Sequence, residues 1–226
     1  SQFKFQQLSG TAVTVLTLLL LLCGVKIFIR NSNWKNREIL FEHDAGIASK
    51  SVKMHSLYAL ELIRQFRSPG VDPSLKRLLR EKAIQELRIC LSIYDSHVNS
   101  LGNLGYLLTG SQNENTEALQ LLKKAISLKD NTAETHFNYA KALYFDGQFD
   151  SSKTENIKAI QLDDNLKEAY DLLVETAWKA NKLEEAIRLH KEKLKVKGPL
   201  NYLYLNLGNC YARSNDTTVA VQFYDS

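Results

Sequence analysis

A period of about thirty-four residues runs through the second half of the chain. Small residues recur at Ala83, Ala118, Ser152, Ala186 and Ala220, with successive spacings of 35, 34, 34 and 34. A second register carries the pairs Leu104–Gly105, Tyr139–Ala140, Leu173–Val174 and Leu207–Gly208, with spacings of 35, 34 and 34. A fixed period predicts a stack of repeated units that contact mainly their neighbours and present an extended surface. This pattern favours recognition over catalysis.

The residues within each period resemble the tetratricopeptide repeat. In 133–166 the matching residues are His136, Tyr139, Ala140, Leu143, Gly147, Phe149, Ala159, Leu162 and Asp164, and from Asn201 onward they are Tyr204, Leu207, Gly208, Tyr211 and Ala220. Small residues of this kind let two helices approach to about 8–10 Å. The resemblance implies an all-α solenoid, a right-handed superhelix of helix-turn-helix pairs.

Four residues depart from the family pattern. They are Ser152, Asn156, His190 and Lys193, each at a second-helix position where the pattern places a small or apolar side chain. Polar side chains fill such positions less well than apolar ones. We therefore expect looser packing in the later repeats.

The resemblance also implies a binding surface, because the first helix of each repeat lines the concave side of such arrays. The candidate groove residues are Asn103, Tyr106, Asn138, Lys141, Tyr144, Trp178, Asn206 and Asn209, with Phe145, Asp171, Glu175, Lys179 and Leu205 beside them. Asn103, Asn138 and Asn206 share one repeat position, where a carboxamide can donate to and accept from a peptide backbone. Tyr144 and Trp178 are candidates for side-chain pockets. The alternative is that these asparagines serve packing within the fold. The row formed by Asn103, Asn138 and Asn206, here called the asparagine ladder, is also interrupted in the middle repeat, where the same position holds Leu172.

An apolar segment near the start predicts a transmembrane helix at residues 8–29. It includes the unbroken run Leu18–Leu22, and twenty-two helical residues span about 33 Å, the thickness of a bilayer core. A secretory signal peptide is the alternative, but its small-residue cleavage site is absent. The segment predicts an integral membrane protein.

Residues 30–55 carry a second resemblance. Trp34, the pair Leu40–Phe41, Asp44 and His55 look like the junction in transmembrane and tetratricopeptide-containing O-mannosyltransferase-like proteins. That family implies repeats on the exoplasmic side, periplasmic or luminal, attached to a membrane glycosyltransferase. Its catalytic acidic residues lie in membrane loops that this chain does not contain, so no catalytic residue is transferred. Packing or interfacial anchoring is the other role for Trp34.

The charge distribution around the apolar segment favours the opposite orientation. Lys26, Arg30, Lys35 and Arg37 follow the segment, whereas Lys4 precedes it. The positive-inside rule would place the repeats in the cytoplasm. We give the junction resemblance more weight than the charge distribution, and we expect the repeats to lie on the exoplasmic side.

These signals divide the chain into eight segments. We expect the end of an upstream loop at 1–7, the membrane helix at 8–29, a juxtamembrane linker at 30–51, an irregular first repeat with an inserted loop at 52–96, three repeats at 97–132, 133–166 and 167–200, and a truncated repeat at 201–226. The last repeat lacks a polar cap. This indicates a segment of a longer protein.

Composition excludes several other functions. The net charge of +4 is mild, and the basic residues are interspersed with acidic ones, so no nucleic-acid partner is expected. Cys23, Cys90 and Cys210 share no metal or redox spacing. No phosphate loop or catalytic motif is present. We expect no metal, no cofactor and no turnover by this segment.

The predicted function is a membrane-tethered interaction domain that binds a protein or an extended peptide. Its most specific form is the acceptor-recognition arm of a polytopic glycosyltransferase-like protein. The alternative is a non-enzymatic single-pass scaffold that assembles a protein complex.

Overall fold

The computed structural model describes residues 10–32, 36–111, 113–128 and 132–225. Within these residues the chain forms twelve helices and no strand. The helices are α1 Gly10–Ser32, α2 Arg37–Ile47, α3 Val52–Phe66, α4 Pro73–Ile93, α5 Val98–Leu108, α6 Asn115–Ser127, α7 Ala133–Phe145, α8 Phe149–Leu162, α9 Lys167–Lys179, α10 Leu183–Lys197, α11 Asn201–Arg213 and α12 Thr217–Tyr224. The predicted all-α class is confirmed.

Helix α1 corrects the predicted membrane span at 8–29. The helix comprises the 23-residue stretch Gly10–Ser32. Lys26 also lies within this stretch. Across the described ranges, no helix has both the length and the apolar character needed to traverse a bilayer. This finding overturns the predicted transmembrane helix and the integral-membrane, exoplasmic localisation.

The chain divides into two compact units, Ser1–Ala83 and Ile84–Ser226. In the first unit α2 packs along α3. Both helices begin at capping side chains, because Asn36 accepts from the backbone N–H of Ile39 at 2.9 Å and Ser51 accepts from that of Met54 at 3.3 Å. The buried apolar side chains of this unit are Ala45, Tyr58, Ala59, Leu62, Ile63, Leu79 and Ala83.

The junction residues lie mainly on α2. Leu40 and Phe41 are half-buried, and His43 Nδ1 lies 3.0 Å from the Asp44 carboxylate. His55, in the first turn of α3, places its Nε2 3.1 Å from the backbone oxygen of Ser49. Trp34 lies outside the described residues. The described part of the junction therefore consists of local packing and hydrogen bonds.

The second unit is built from helix pairs. The pairs α5–α6, α7–α8, α9–α10 and α11–α12 pack internally, and α6, α8 and α10 also contact the first helix of the following pair. The first helices touch in turn, α5 with α7, α7 with α9 and α9 with α11. They form one continuous layer, here called the first-helix layer.

The turns inside three of these pairs repeat one geometry. Gly147, Asn181 and Asn215 all have positive φ, at 79°, 55° and 65°. The residue after each donates its backbone N–H to the carbonyl five residues earlier, as in Lys182 to Ala177 at 2.8 Å. This left-handed ending satisfies the last helical carbonyls and turns the chain back. Glycine and asparagine adopt it at the lowest cost.

Small residues set how closely the paired helices approach. A Cβ added to Gly105 would lie 2.5 Å from Cγ of Leu122 in α6, and one added to Gly208 would overlap the ring of Tyr224 in α12. Ala140, Ala186 and other small residues are buried at the matching places. The side chains that define the sequence period are thus those that permit helix crossing.

Three of the four polar departures from the repeat pattern, Ser152, Asn156 and His190, are buried. Ser152 donates to the backbone oxygen of Ala140 at 2.7 Å, and Asn156 donates to that of Ala169 at 2.6 Å. His190 is also fully buried, and Lys193 pairs with Asp164 at 2.6 Å. Each of these residues forms at least one bond across or along the helices, although Asn156 Oδ1 and His190 Nε2 are buried without a hydrogen-bond partner.

Candidate functional site

All eight predicted groove residues lie on the first-helix layer. Asn103 and Tyr106 are on α5, Asn138, Lys141 and Tyr144 on α7, Trp178 on α9, and Asn206 and Asn209 on α11. These residues differ in the exposed fraction of their side chains. Trp178 is 43% exposed, whereas Tyr106, Lys141 and Tyr144 are half-buried. The surface therefore consists mainly of aromatic and basic groups.

Two of the three ladder asparagines are buried. Asn138 is 5% exposed and Asn206 is 2% exposed. The side-chain amide of Asn206 donates to the Asp171 carboxylate at 2.8 Å and so links α11 to α9. Asn209 accepts from the hydroxyl of Tyr224 at 3.0 Å. Asn206 is thus engaged within the first-helix layer and Asn209 with α12, and Asn103 is the most accessible of the three ladder asparagines.

Three aromatic side chains lie near the ends of α7 and α9, and we call them the aromatic edge: Tyr144, Phe145 and Trp178. Phe145 is 52% exposed. Its ring contacts Gly110, which has φ +82° and where an added Cβ would lie 2.9 Å from the ring. Tyr144 meets the rings of Phe145 and Phe149 edge-on, with centroids 5.6 and 5.7 Å apart. Tyr144 and Phe145 are thus held in a fixed geometry, and Phe145 presents an exposed apolar face.

Charged side chains surround Trp178 and are already engaged. The guanidinium carbon of Arg213 lies 4.6 Å from the Trp178 ring centroid, and Lys179 Nζ lies 4.7 Å from it. Arg213 also forms an ion pair with Glu175. This pair raises the pKa of Arg213, and burial followed by the charge of Glu175 raises the pKa of Tyr144. Tyr144 therefore stays neutral at physiological pH.

Arg213 was absent from the sequence-based candidates. It follows Lys179 by one period of 34 residues, as Lys179 follows Phe145. The same repeat position thus holds an aromatic residue and then two cations. This shared position is the signal by which the sequence could have identified it.

A cleft of about 750 Å³ lies beside Trp178, between the turns that join α9 to α10 and α11 to α12. Trp178, Leu183 and Arg213 line it together with the polar residues Glu184, Ser214 and Asn215. Trp178 belongs both to the lining of this cleft and to the aromatic edge. It provides space next to that edge for groups of a bound chain.

Cys90, Ser100 and His97 form one polar cluster, in which Cys90 and Ser100 are buried. Ser100 Oγ donates to Cys90 Sγ at 3.0 Å, and His97 Nδ1 lies 2.8 Å from the same hydroxyl. Burial raises the pKa of Cys90, so the thiol stays protonated and is a poor nucleophile. In the described part of the chain, no group of three or more His, Cys, Asp or Glu residues is arranged to hold a metal ion.

Comparison with solved structures identifies the fold. MamA aligns with a TM-score of 0.56 at 20% identity, over 69% of this chain and 92% of MamA. YrrB, a TPR protein with an unusual peptide-binding site, aligns with a TM-score of 0.59 at 16% identity, over 82% of this chain and 89% of YrrB. PilW, a type IV pilus biogenesis factor, aligns with a TM-score of 0.63 at 16% identity, over 88% of this chain and 86% of PilW. The fold is that of a tetratricopeptide-repeat (TPR) solenoid.

The TPR assignment rests on structure. No family model and no curated protein sequence matches the chain. The predicted TPR resemblance is confirmed at the level of the fold, whereas the resemblance of residues 30–55 to O-mannosyltransferase-like proteins finds no support among these structures. The aromatic edge is therefore interpreted as part of a TPR array.

Proposed function

We propose that this chain is a protein-interaction scaffold whose first-helix layer binds an extended peptide segment of a partner. The observation that carries the proposal is the aromatic edge, where Phe145 and Trp178 are 52% and 43% exposed on neighbouring first helices. Exposed large apolar side chains that lie together mark interaction sites more often than isolated ones do.

The energetics support the aromatic residues as anchors. Burial of one large apolar side chain contributes about 1.5–3 kcal/mol. A solvent-exposed ion pair contributes about 0–1 kcal/mol, and Arg213 and Glu175 are both partly exposed. The affinity for a partner is therefore expected to come mainly from contacts with Tyr144, Phe145 and Trp178.

The solved TPR structures agree with such a role. YrrB is described by its peptide-binding site and PilW as a pilus biogenesis factor. Binding of a peptide is the activity that we transfer to this chain. Tyr106 and Lys141 are included as flanking contacts, and Asn206 is assigned to holding Asp171 in place.

Selection from a random twelve-residue peptide library on the immobilised protein tests the proposal. The enriched peptides are then measured by fluorescence anisotropy against the double variant Tyr144→Ala/Trp178→Ala, which we expect to bind at least about tenfold more weakly. The matched control is Val196→Ala, because Val196 is 80% exposed on the second helix α10. Equal binding by the double variant and the control would place the binding site elsewhere.

The finer prediction is an acceptor-recognition arm of a glycosyltransferase-like protein. It rests on residues 30–55 alone, and Trp34 among them lies outside the described residues. The scaffold proposal requires neither a glycosyltransferase nor a membrane segment. We therefore restrict the proposed function to peptide recognition.

A further inference from the structure

We infer that the cleft beside Trp178 accepts a basic side chain of the bound peptide, Lys or Arg, and that Glu184 is the carboxylate that recognises it. The inference rests on the proposed peptide-binding function and specifies the chemistry of its ligand. Its starting point is the set of charged residues that line the cleft, which are Lys182, Glu184, Glu185 and Arg213. They differ in whether the fold already neutralises them.

Three of these four charges have ion-pair partners within the fold. The pairs are Lys182 with Asp150 at 2.6 Å, Glu185 with Lys153 at 2.7 Å, and Arg213 with Glu175. In the part of the chain that the structure describes, the exposed carboxylate of Glu184 has no such partner. Arg188, one turn further along α10, pairs with Glu192 at 3.0 Å instead. The cleft therefore retains one uncompensated negative charge.

The preceding repeat shows how a carboxylate at this position binds a lysine. Asp150 is the second residue of α8, and Glu184 is the second residue of α10, one period of 34 residues later. Asp150 pairs with Lys182, the residue immediately before α10. The equivalent residue before α12 is Asp216, which accepts the backbone N–H of Val219 at 3.2 Å. The repeat thus offers Glu184 no lysine, and a cation of the ligand can take that role.

The rest of the lining suits the stem of a basic side chain. Trp178 is 43% exposed, and Leu183 is half-buried. The methylene groups of Lys or Arg can lie on this apolar surface while the charged end reaches Glu184. An acidic side chain would instead be repelled by Glu184 and would compete with Asp150 for Lys182. The cleft therefore favours a ligand that is basic at this point and apolar beside it.

Three fluorescein-labelled peptides test the inference. They share four Leu residues among Gly and Ser, and two positions next to Leu hold Lys, Gln or Glu. By fluorescence anisotropy at 50 mM NaCl, we expect the Lys peptide to bind about threefold more tightly than the Gln peptide and about tenfold more tightly than the Glu peptide. The net charge of the chain is +4, so attraction by the molecule as a whole would produce the opposite order. The preference should decrease at 500 mM NaCl, because salt screens exposed charges.

Variants that reverse one charge locate this preference. Glu184→Lys should bind the Glu peptide more tightly than the Lys peptide. The matched control is Glu168→Lys, since Glu168 is exposed in the first turn of α9, at the opposite end of that helix from Trp178. This control should retain the preference for the Lys peptide.

The possible outcomes separate the inference from the proposed function. Equal affinity for the three peptides, or a preference of the wild type for the Glu peptide, would overturn the inference and leave the proposed function standing. Equal effects of Glu184→Lys and Glu168→Lys would also overturn it, because the preference would then follow net charge. If none of the three peptides binds, the library-selected peptides decide: enrichment of Lys or Arg in them supports the inference, and its absence overturns it. No enrichment of any peptide from the library would overturn both proposals.

Discussion

His190 is a titratable side chain enclosed in an apolar interface. It is fully buried in α10, its Nδ1–H donates to the backbone oxygen of Ala186 at 2.7 Å, and its ring packs on Tyr170 at 5.4 Å between centroids. Burial lowers the pKa of His190 below its usual value, despite the nearby charge of Asp171. The folded protein therefore holds this imidazole in its neutral form.

The lowered pKa predicts a loss of stability in mild acid. Below about pH 6.5 the unfolded chain binds a proton that the folded chain excludes. The free energy of unfolding should therefore fall as pH decreases from 6.5 towards the folded pKa, and level off below it. Urea unfolding at pH 7.5, 6.5 and 5.5 measures this change, which should be smaller in His190→Asn than in the wild type. The control is His43→Asn, since His43 lies in the other unit; identical pH dependence in all three proteins would contradict the prediction.

The same residue shows what sequence position alone could not predict. His190, Ser152 and Asn156 depart from the repeat pattern in the sequence, but the pattern does not predict which groups they bond. The bonding partners of Ser152 and Asn156 are carbonyls of neighbouring helices, at Ala140 and Ala169. The repeat pattern in the sequence does not predict the direction in which those carbonyls point.

At the scale of elements, the crossing of α5 and α6 depends on Gly105. An added Cβ would lie 2.5 Å from Cγ of Leu122, which is the branched carbon of a fully buried side chain. Cγ of Leu122 lies close to its backbone, so it cannot move away from the added Cβ unless helix α6 also shifts. We therefore expect Gly105→Ala to lower the free energy of unfolding by about 1–3 kcal/mol, although alanine favours a helix by about 1 kcal/mol over glycine.

Gly46→Ala is the matched control for this prediction. Gly46 also lies inside a helix, α2, but no atom lies within 4 Å of an added Cβ. Its replacement should leave stability unchanged or raise it by up to about 1 kcal/mol. Chemical denaturation of both variants measures the change in the free energy of unfolding. Equal changes in Gly105→Ala and Gly46→Ala would show that Leu122 does not restrict the crossing of α5 and α6.

The helix pairs were predictable from the sequence because the small residues that define the period lie where the paired helices cross. Gly105, Ala140 and Gly208 recur where two backbones approach, so their spacing predicts the TPR fold. The membrane prediction at 8–29 failed in a different way. Apolar composition alone predicted a span there, but no helix of the described residues combines the length and the apolar character that crossing a membrane requires.

The candidate site was predictable in part. The repeat register placed Tyr144 and Trp178 on the first-helix layer, where the structure has them. It could not predict that Asn206 donates to Asp171, or that Arg213 lies over Trp178. Those contacts join successive repeats, and their geometry depends on how the repeats stack.

At the scale of the whole molecule, binding and stability should depend on different residues. Ala186 is 1% exposed and belongs to a buried cluster with Leu173, Val174, Ala177 and Cys210, where α9, α10 and α11 meet. Burial raises the pKa of Cys210 to about 11, so its thiol stays protonated at physiological pH. Trp178 lies on the surface of the same α9 helix. One helix therefore contributes to the core on one face and to the proposed binding surface on the other.

This division predicts opposite results for two substitutions. Ala186→Arg should lower the free energy of unfolding by on the order of 3–5 kcal/mol, since it overpacks the cluster and buries an unpaired charge. Trp178→Ala should change stability by less than about 1 kcal/mol, yet weaken binding of the library-selected peptides at least about tenfold. Thermal unfolding by circular dichroism and peptide anisotropy on the same samples measure both quantities. If the two variants unfold at the same temperature, the separation of core and binding surface within this TPR array is wrong, because a surface tryptophan would then be as necessary to the fold as the helix crossing.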